Sequence, residues 1–192
     1  MDPSAETARW ERLVRLLRPL HDQAVGTARR LSRSAHDGDD LYQETVLRAH
    51  DKLDDLRDES RFRSWFFAIL LSRHRSRARR PRRDTTPLDS IRDLPDERRG
   101  KDGTLWDEER RGAERATRAL AGLEPAQREA IVLHDLDGFS VEEVAELTRV
   151  SPSAVKSRLA RGREKLRRFY VKRERAGEAP LATLLAGKGE VP

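Results

Sequence analysis

The apolar residues of the chain recur mainly at intervals of three and four, the spacing of one face of a helix. Trp10, Leu13, Leu16, Leu17, Leu20, Ala24 and Leu31 mark a first helical stretch over residues 10–33, which Pro19 is placed to break or kink. His36-Asp37-Gly38-Asp39 reads as a turn whose aspartates can cap the next helix. That helix is predicted from about Asp40 to Asp54. Tyr42, Val46, Ala49 and Leu53 form its apolar stripe, and Asp40, Gln43, Glu44 and Leu47 share another face. After a polar loop over residues 54–60, a longer helix is predicted from Arg61 to about Arg80, with Phe62, Trp65, Phe66, Ile69 and Leu70 on one side. The run from Trp65 to Leu71 has strand propensity. The helical spacing extends beyond it, however, and no partner strand is evident.

Residues 84–112 contain Pro87, Pro95, Gly100, Gly103 and Gly112 and few apolar residues, the composition of a linker. A second set of short helices follows. Ala116, Ala119, Leu120 and Leu123 belong to the first. Pro125 opens the second, which buries Ile131, Val132 and Leu136 and ends at Gly138. Ser140 and Glu143 form a capping box for the third, whose apolar positions are Val144, Ala145 and Leu147. Thr148-Arg149-Val150 is a tight turn. Ser151 and Pro152 start the last helix, which continues through Val155, Leu159, Leu166 and Tyr170. The expected fold is all-α. Two small helical domains, residues 10–83 and 113–171, are joined by a flexible linker over 84–112 and followed by a tail over 172–192. In the tail, Leu181, Leu184 and Leu185 fit either one amphipathic turn or disorder.

Composition agrees with two small cores, because 36% of the 192 residues are hydrophobic and 39% are charged. The net charge of +6 favours a polyanionic partner, and its distribution is the more informative fact. Residues 151–175 hold ten Lys or Arg against two Glu, and residues 61–83 hold nine Arg and no acid. Residues 37–59 reverse the sign with nine acids against three bases, and the linker has nine against six. The chain has no cysteine, which excludes disulfides and thiolate metal sites. Its charged start does not read as a secretory signal, and its longest apolar run is too short to span a bilayer. A cytoplasmic protein without membrane insertion is expected.

Two short capped helices around a tight turn, the second strongly basic, form the helix-turn-helix pattern that places its second helix in the DNA major groove. Ser153, Lys156, Ser157 and Arg158 lie in the first turns, within reach of base edges. Arg161, Arg163, Lys165 and Arg167 lie further along, where cations meet phosphates. The helix from Arg61 combines basic and aromatic residues, as single-strand binders do. For Phe62, Trp65 and Phe66 the spacing favours core packing over base stacking. The seven arginines from Arg73 to Arg83 have no countercharge nearby in the sequence, which calls for an anionic partner. The acidic face of Asp40, Gln43 and Glu44 with Leu47 suits docking of a basic protein. Nothing points to catalysis. The five histidines are scattered, the aspartates near Gly38 lack a calcium-loop spacing, and neither a phosphate-binding glycine loop nor a nucleophile elbow occurs. No enzymatic activity and no cofactor are expected.

Four segments together resemble the extracytoplasmic-function (ECF) sigma factors of the bacterial sigma-70 family: Asp40-Leu41-Tyr42-Gln43-Glu44-Thr45-Val46-Leu47-Arg48-Ala49, Phe62-Arg63-Ser64-Trp65-Phe66, Leu123-Glu124-Pro125-Ala126-Gln127-Arg128-Glu129 and the stretch from Val155 to Leu166. The resemblance covers about residues 10–80 and 113–170. It implies a region 2-like domain that binds the clamp helices of the largest subunit of core RNA polymerase through Asp40, Gln43, Glu44 and Leu47. The same domain would hold the melted minus-ten element through Arg61, Arg63, Ser72, Arg73, Arg75 and Arg77. It further implies a region 4-like domain that reads the minus-thirty-five element of promoter DNA through Ser153, Lys156, Ser157, Arg158 and Arg161. The acidic linker would thread the polymerase path that later holds RNA. Many family members are held by an anti-sigma factor, which is therefore a candidate partner.

Three positions depart from the family pattern. Ser72 stands where an Asn commonly helps hold a flipped base. Ser153-Ala154 replaces a Gly-Thr. Gly162 replaces an Ala, at a cost of about 1 kcal/mol of helix propensity, so the last helix is expected to end or bend early. A stand-alone helix-turn-helix regulator is the alternative reading. It accounts for residues 140–168 but leaves the acidic face and the Arg61 helix unused. A sigma-like decoy that binds a regulator without starting transcripts is a further one.

Overall fold

The computed structural model describes residues 3–32, 34–79 and 115–174, with side chains described as far as Val171. The predicted linker lies outside the described residues, as does the predicted tail beyond Glu174, whose first three residues, 172–174, continue the last helix; the described residues contain helices and no strand.

The first half is a bundle of four helices, α1 (Pro3–Leu17), α2 (His21–Leu31), α3 (Ala35–Asp51) and α4 (Phe62–Arg79). Pro19 sits in a 3₁₀ turn, Arg18–Leu20, that separates α1 from α2 as its missing N–H requires. Arg12 and Arg15 both reach Glu59 and Arg9 reaches Asp54, tying α1 to the segment before α4. Leu13, Leu31, Leu41, Leu53, Phe66, Phe67, Leu70 and Leu71 are almost wholly buried and make the core. Phe62 and Phe66 are packed within it, whereas Trp65 and Ile69 are only partly covered.

The turn expected at residues 36–39 is instead the first part of α3. Ser34 is the N-cap, its hydroxyl accepting from the Asp37 N–H at 3.1 Å, so the helix begins five residues before Asp40 and ends at Asp51. Gly38 serves packing within that helix: a Cβ there would lie 2.5 Å from Arg29 Cα and 2.8 Å from Arg29 N in α2. Leu41, Thr45 and Ala49 face the core, and Tyr42 and Val46 are half-buried at its edge. Thr45 is tolerated at full burial because its hydroxyl donates to the Leu41 carbonyl at 2.7 Å.

The second half comprises α5 (residues 115–121), α6 (Pro125–Ile131), a π-helical turn (Val132–Leu136), α7 (Val141–Thr148) and α8 (Pro152–Glu174). Arg128 donates to the Leu120 and Ala121 carbonyls and so satisfies the end of α5. Gly138, at φ +73, ends the π-turn in the left-handed region that glycine permits. Contrary to expectation, α8 runs through Gly162 without ending. A Cβ at Gly162 would lie 2.9 Å from Ile131 Cγ1, so the glycine lets α8 approach α6.

The halves touch. α4 packs against α7, and α2 packs against the π-turn. Phe67 of α4 meets Phe139 edge-on at 5.0 Å between ring centroids.

Candidate functional site

The capping box forms as its spacing predicts. Ser140 Oγ accepts from the Glu143 N–H at 3.1 Å, and Glu143 accepts from the Ser140 N–H at 2.7 Å. That backbone hydrogen bond holds the Glu143 carboxyl below its usual value. Arg149 closes α7 with φ 57, ψ 47, and Ser151 Oγ accepts from the Ala154 N–H to start α8. This is a helix-turn-helix with both N-termini capped. Val155 and Leu159 anchor α8 in the core. Ser153, Lys156, Ser157 and Arg161 are exposed and Arg158 is half-exposed on the opposite side.

Ion pairs divide the cations of α8 into two groups. Arg163 forks onto Asp135 at 2.6 and 3.0 Å, Lys165 lies 3.6 Å from Glu124, and Arg167 and Arg168 share Glu164. Lys156, Arg158 and Arg161 have no ion pair among the described residues. Among the described cations of α8, the uncompensated charge therefore lies N-terminal to Gly162, on the part of such a helix that meets DNA in the major groove.

The arginines of α4 are not without countercharge. Arg73 donates to Glu44 at 2.9 Å, and Arg77 lies 3.8 Å from both Asp40 and Glu44. Arg75 forks onto Glu129 of α6 at 2.6 and 3.1 Å, which raises the guanidinium's affinity for its proton. Arg63 donates to the Asp137 carbonyl at 2.6 Å and lies over the Phe139 ring at 3.7 Å. Arg61 and Ser72 remain exposed.

α3 thus divides its polar face. Asp40 and Glu44 turn toward α4. Gln43 and Leu47 border an apolar groove of about 650 Å³ between α3 and the α1–α2 corner, lined also by Val14, Leu17, Tyr42 and Val46. Leu47 is 57% exposed and Val14 58%, which leaves two large apolar side chains in water at one groove. Tyr42 hydrogen-bonds His21 at 2.8 Å, and its burial pushes the phenol above its usual value. Among the described residues no group of acidic and histidine side chains is arranged to hold a metal ion. No helix there is long and apolar enough to cross a membrane.

The Sigma-70 region 2 family matches residues 16–84, and the Sigma-70, region 4 family matches residues 113–166. The ECF RNA polymerase sigma factor SigM of Mycobacterium tuberculosis is 31% identical over 155 residues, spanning 80% of this chain and 74% of SigM. EcfG of Rhodopseudomonas palustris is 36% identical over 141 residues, 71% of this chain and 72% of EcfG. The chain belongs to the ECF RNA polymerase sigma factors. Solved structures agree. CnrH, in complex with the cytosolic domain of CnrY, matches 85% of the chain and 90% of its own at a TM-score of 0.60 and 28% identity. RpoE of Bartonella quintana, in complex with the anti-sigma factor NepR, matches 80% and 92% at 0.61 and 28%.

In this sigma factor, helix-turn-helix and region 2 occur in one chain, so the stand-alone regulator is not favoured. Sequence reasoning missed Asp137, Glu129, Phe67 and Phe139, which join the halves. Their only signal was a carboxylate beside a turn glycine and an aromatic next to a cap, neither of which reveals a partner more than fifty residues away.

Proposed function

We propose that the two halves of this sigma factor divide promoter recognition as their surfaces suggest, with residues 10–83 and 113–171 as the working domains, 84–112 as linker and 172–192 as tail. Gln43 and Leu47, at the rim of an open apolar groove, make the first contacts with the clamp helices of core polymerase. Asp40 and Glu44 contribute charge from the same helix while paired to α4. Arg61, Arg63, Ser72, Arg73, Arg75 and Arg77 follow the melted minus-ten strand, and Ser153, Lys156, Ser157, Arg158 and Arg161 read the minus-thirty-five duplex. The chain supplies recognition and no catalysis, and works in the cytoplasm. An anti-sigma factor is a fitting partner, since the solved relatives CnrH and RpoE are each held by a second protein.

The observation that carries this reading is the charge distribution on α8. Ion pairs occupy its later cations and leave Lys156, Arg158 and Arg161 for phosphates and bases. Run-off transcription with sigma-free core polymerase and genomic fragments tests it. The wild-type chain gives discrete transcripts. Gln43→Ala with Leu47→Ala, both at exposed positions, weakens core binding by about tenfold or more, the scale of a lost interface anchor. Unchanged core binding by that variant would remove the docking assignment.

A further inference from the structure

The C-terminal end of α7 is built against the preference of the residue that forms it. Arg149 closes the helix in the left-handed region, at φ 57 and ψ 47, and among the described residues no other non-glycine has a positive φ. Its N–H bonds the Glu146 carbonyl at 3.2 Å, and the next N–H, of Val150, bonds the Ala145 carbonyl at 3.0 Å. This pair of bonds makes the helix end that glycine favours, because an L side chain there crowds the carbonyl that follows it. At the left-handed turn before α7 the chain does use glycine, Gly138 at φ +73. Both hydrogen bonds at Arg149 come from the backbone, so they do not account for the side chain.

Packing does not account for it either. Arg149 is exposed, and its guanidinium makes no hydrogen bond, ion pair or ring contact among the described residues. Even Glu146, three residues back and exposed, does not pair with it. Backbone strain of this kind is found where a residue's side chain is needed in place. The place is informative. In a helix-turn-helix the first helix crosses the DNA backbone and the second enters the major groove. The turn between them therefore lies at the edge of the groove, beside phosphates. Here the first helix, α7, carries Glu142, Glu143 and Glu146 and no base. Phosphates would repel it. Arg149 places a free cation at its end, two residues before the Ser151 cap of α8.

We propose that Arg149 holds a DNA phosphate at the edge of the groove that α8 enters, a sequence-independent contact that fixes how the helix-turn-helix sits on the duplex. The inference rests on the assignment of α8 to duplex DNA, and the two can fail separately. A guanidinium can fork onto two phosphate oxygens, which sets orientation as well as charge. Such a contact positions the reading residues of α8 and carries no sequence information itself. In the free chain the strained turn persists with no contact to offset it. Arg149 thus lowers the stability of the free chain and raises its affinity for DNA, and glycine at this position separates the two effects.

The test uses the full-length chain and a fluorescein-labelled duplex of mixed sequence. Anisotropy over a range of salt concentrations reports binding, and urea unfolding followed by circular dichroism reports stability. Arg149→Gly removes the left-handed cost, so the folded-to-unfolded ratio should rise by about fivefold. The slope of log affinity against log salt should fall by about 0.9, the share of one phosphate contact. Arg149→Lys keeps both charge and strain, and should keep the slope and the stability of the wild type. Lys156→Ala with Arg161→Ala reports on α8 itself, and an unchanged slope there removes the assignment of α8 to duplex DNA. A reduced slope in that variant with an unchanged slope in Arg149→Gly overturns the phosphate contact alone. A fall in stability in Arg149→Gly would assign the cation to the C-terminal charge of α7 and overturn the inference. An equal loss of slope in Arg149→Lys would also overturn it, because the charge is still present.

Discussion

Gly38→Ala should destabilise the protein, although helix propensity alone gives the opposite sign. Alanine in a helix interior is favoured over glycine by about 0.8–1 kcal/mol. At Gly38, however, the new Cβ would lie 2.5 Å from Arg29 Cα and 2.8 Å from Arg29 N. Ordinary carbon contacts lie at roughly 3.5–4.0 Å, so α2 and α3 must part by about 1 Å. The obstructing atoms are backbone, and rotamer changes cannot relieve them. Behind them Ala24, Ala28 and Leu31 are packed at 0–2% exposure. Overpacking of this kind costs about 1–3 kcal/mol, sometimes more. Parting the helices also strains the Arg29–Asp39 fork at 2.7 and 3.1 Å, the contact that holds the Asp39 carboxyl below its usual value. The upper part of that range, less the propensity gain, leaves a net loss of about 2 kcal/mol, equivalent to a fall in Tm of about 4–8 °C. Gly26→Ala on α2 is the matched control, because its Cβ would meet only the guanidinium of Arg30, at 3.1 Å, the far end of a long side chain that can shift by a few tenths of an ångström, whereas Gly38 faces backbone. It should gain up to about 1 kcal/mol. Urea unfolding followed by circular dichroism measures both. If Gly38→Ala stabilises as much as Gly26→Ala, the close approach of α2 and α3 is wrong.

Gly162→Ala opposes the same two effects more evenly, with Ile131 Cγ1 at 2.9 Å and Cδ1 at 3.3 Å. It should lose up to about 2 kcal/mol in urea unfolding, and a gain would mean that α8 has room to move away from α6. On duplex promoter DNA, Lys156→Ala with Arg158→Ala and Arg161→Ala should reduce the salt slope by about 0.9 for each of the three that meets a phosphate, to a maximum of about 2.7. Arg163→Ala, whose cation is engaged by Asp135, should leave that slope nearly unchanged, and equal effects would count against the division of α8. His74 is held below the usual imidazole value, first by burial, against the opposing charge of Glu129. Its folded value lies below its unfolded one, so its contribution to stability is fully present above about pH 6.5 and is lost as the pH falls through the folded value. His74→Gln should flatten that part of the stability profile, and an unchanged profile would exclude His74 as its source.

The features legible in the sequence were those whose cause lies within one helical turn. Pro19 splits α1 from α2, Ser140 and Glu143 cap each other, and Ser151 starts α8, because a missing N–H or a short side chain acts on neighbouring backbone. Gly38 was misread for the same reason. Beside aspartates a glycine signals a turn, and only the backbone of Arg29, nine residues away, shows that it is a contact between helices. On α3 the periodicity was right and the phase was shifted. Tyr42 and Val46 repeat as regularly as Leu41 and Thr45, and which pair faces the core depends on α2 and α4 rather than on α3 itself.

Charge was the least legible feature, because pairing depends on distance in space. The arginines of α4 have no acid near them in the sequence, yet Glu44 stands 29 residues before Arg73 and Glu129 stands 54 residues after Arg75. A basic run therefore gives an upper bound on the cation available to DNA. On α8 the bound is reduced at Arg163, Lys165 and Arg167 and holds at Lys156, Arg158 and Arg161. On α4 part of the reduction comes from the other half of the same chain. The positive charge that α4 can offer to an anionic partner is then a property of the conformation as well as of the composition.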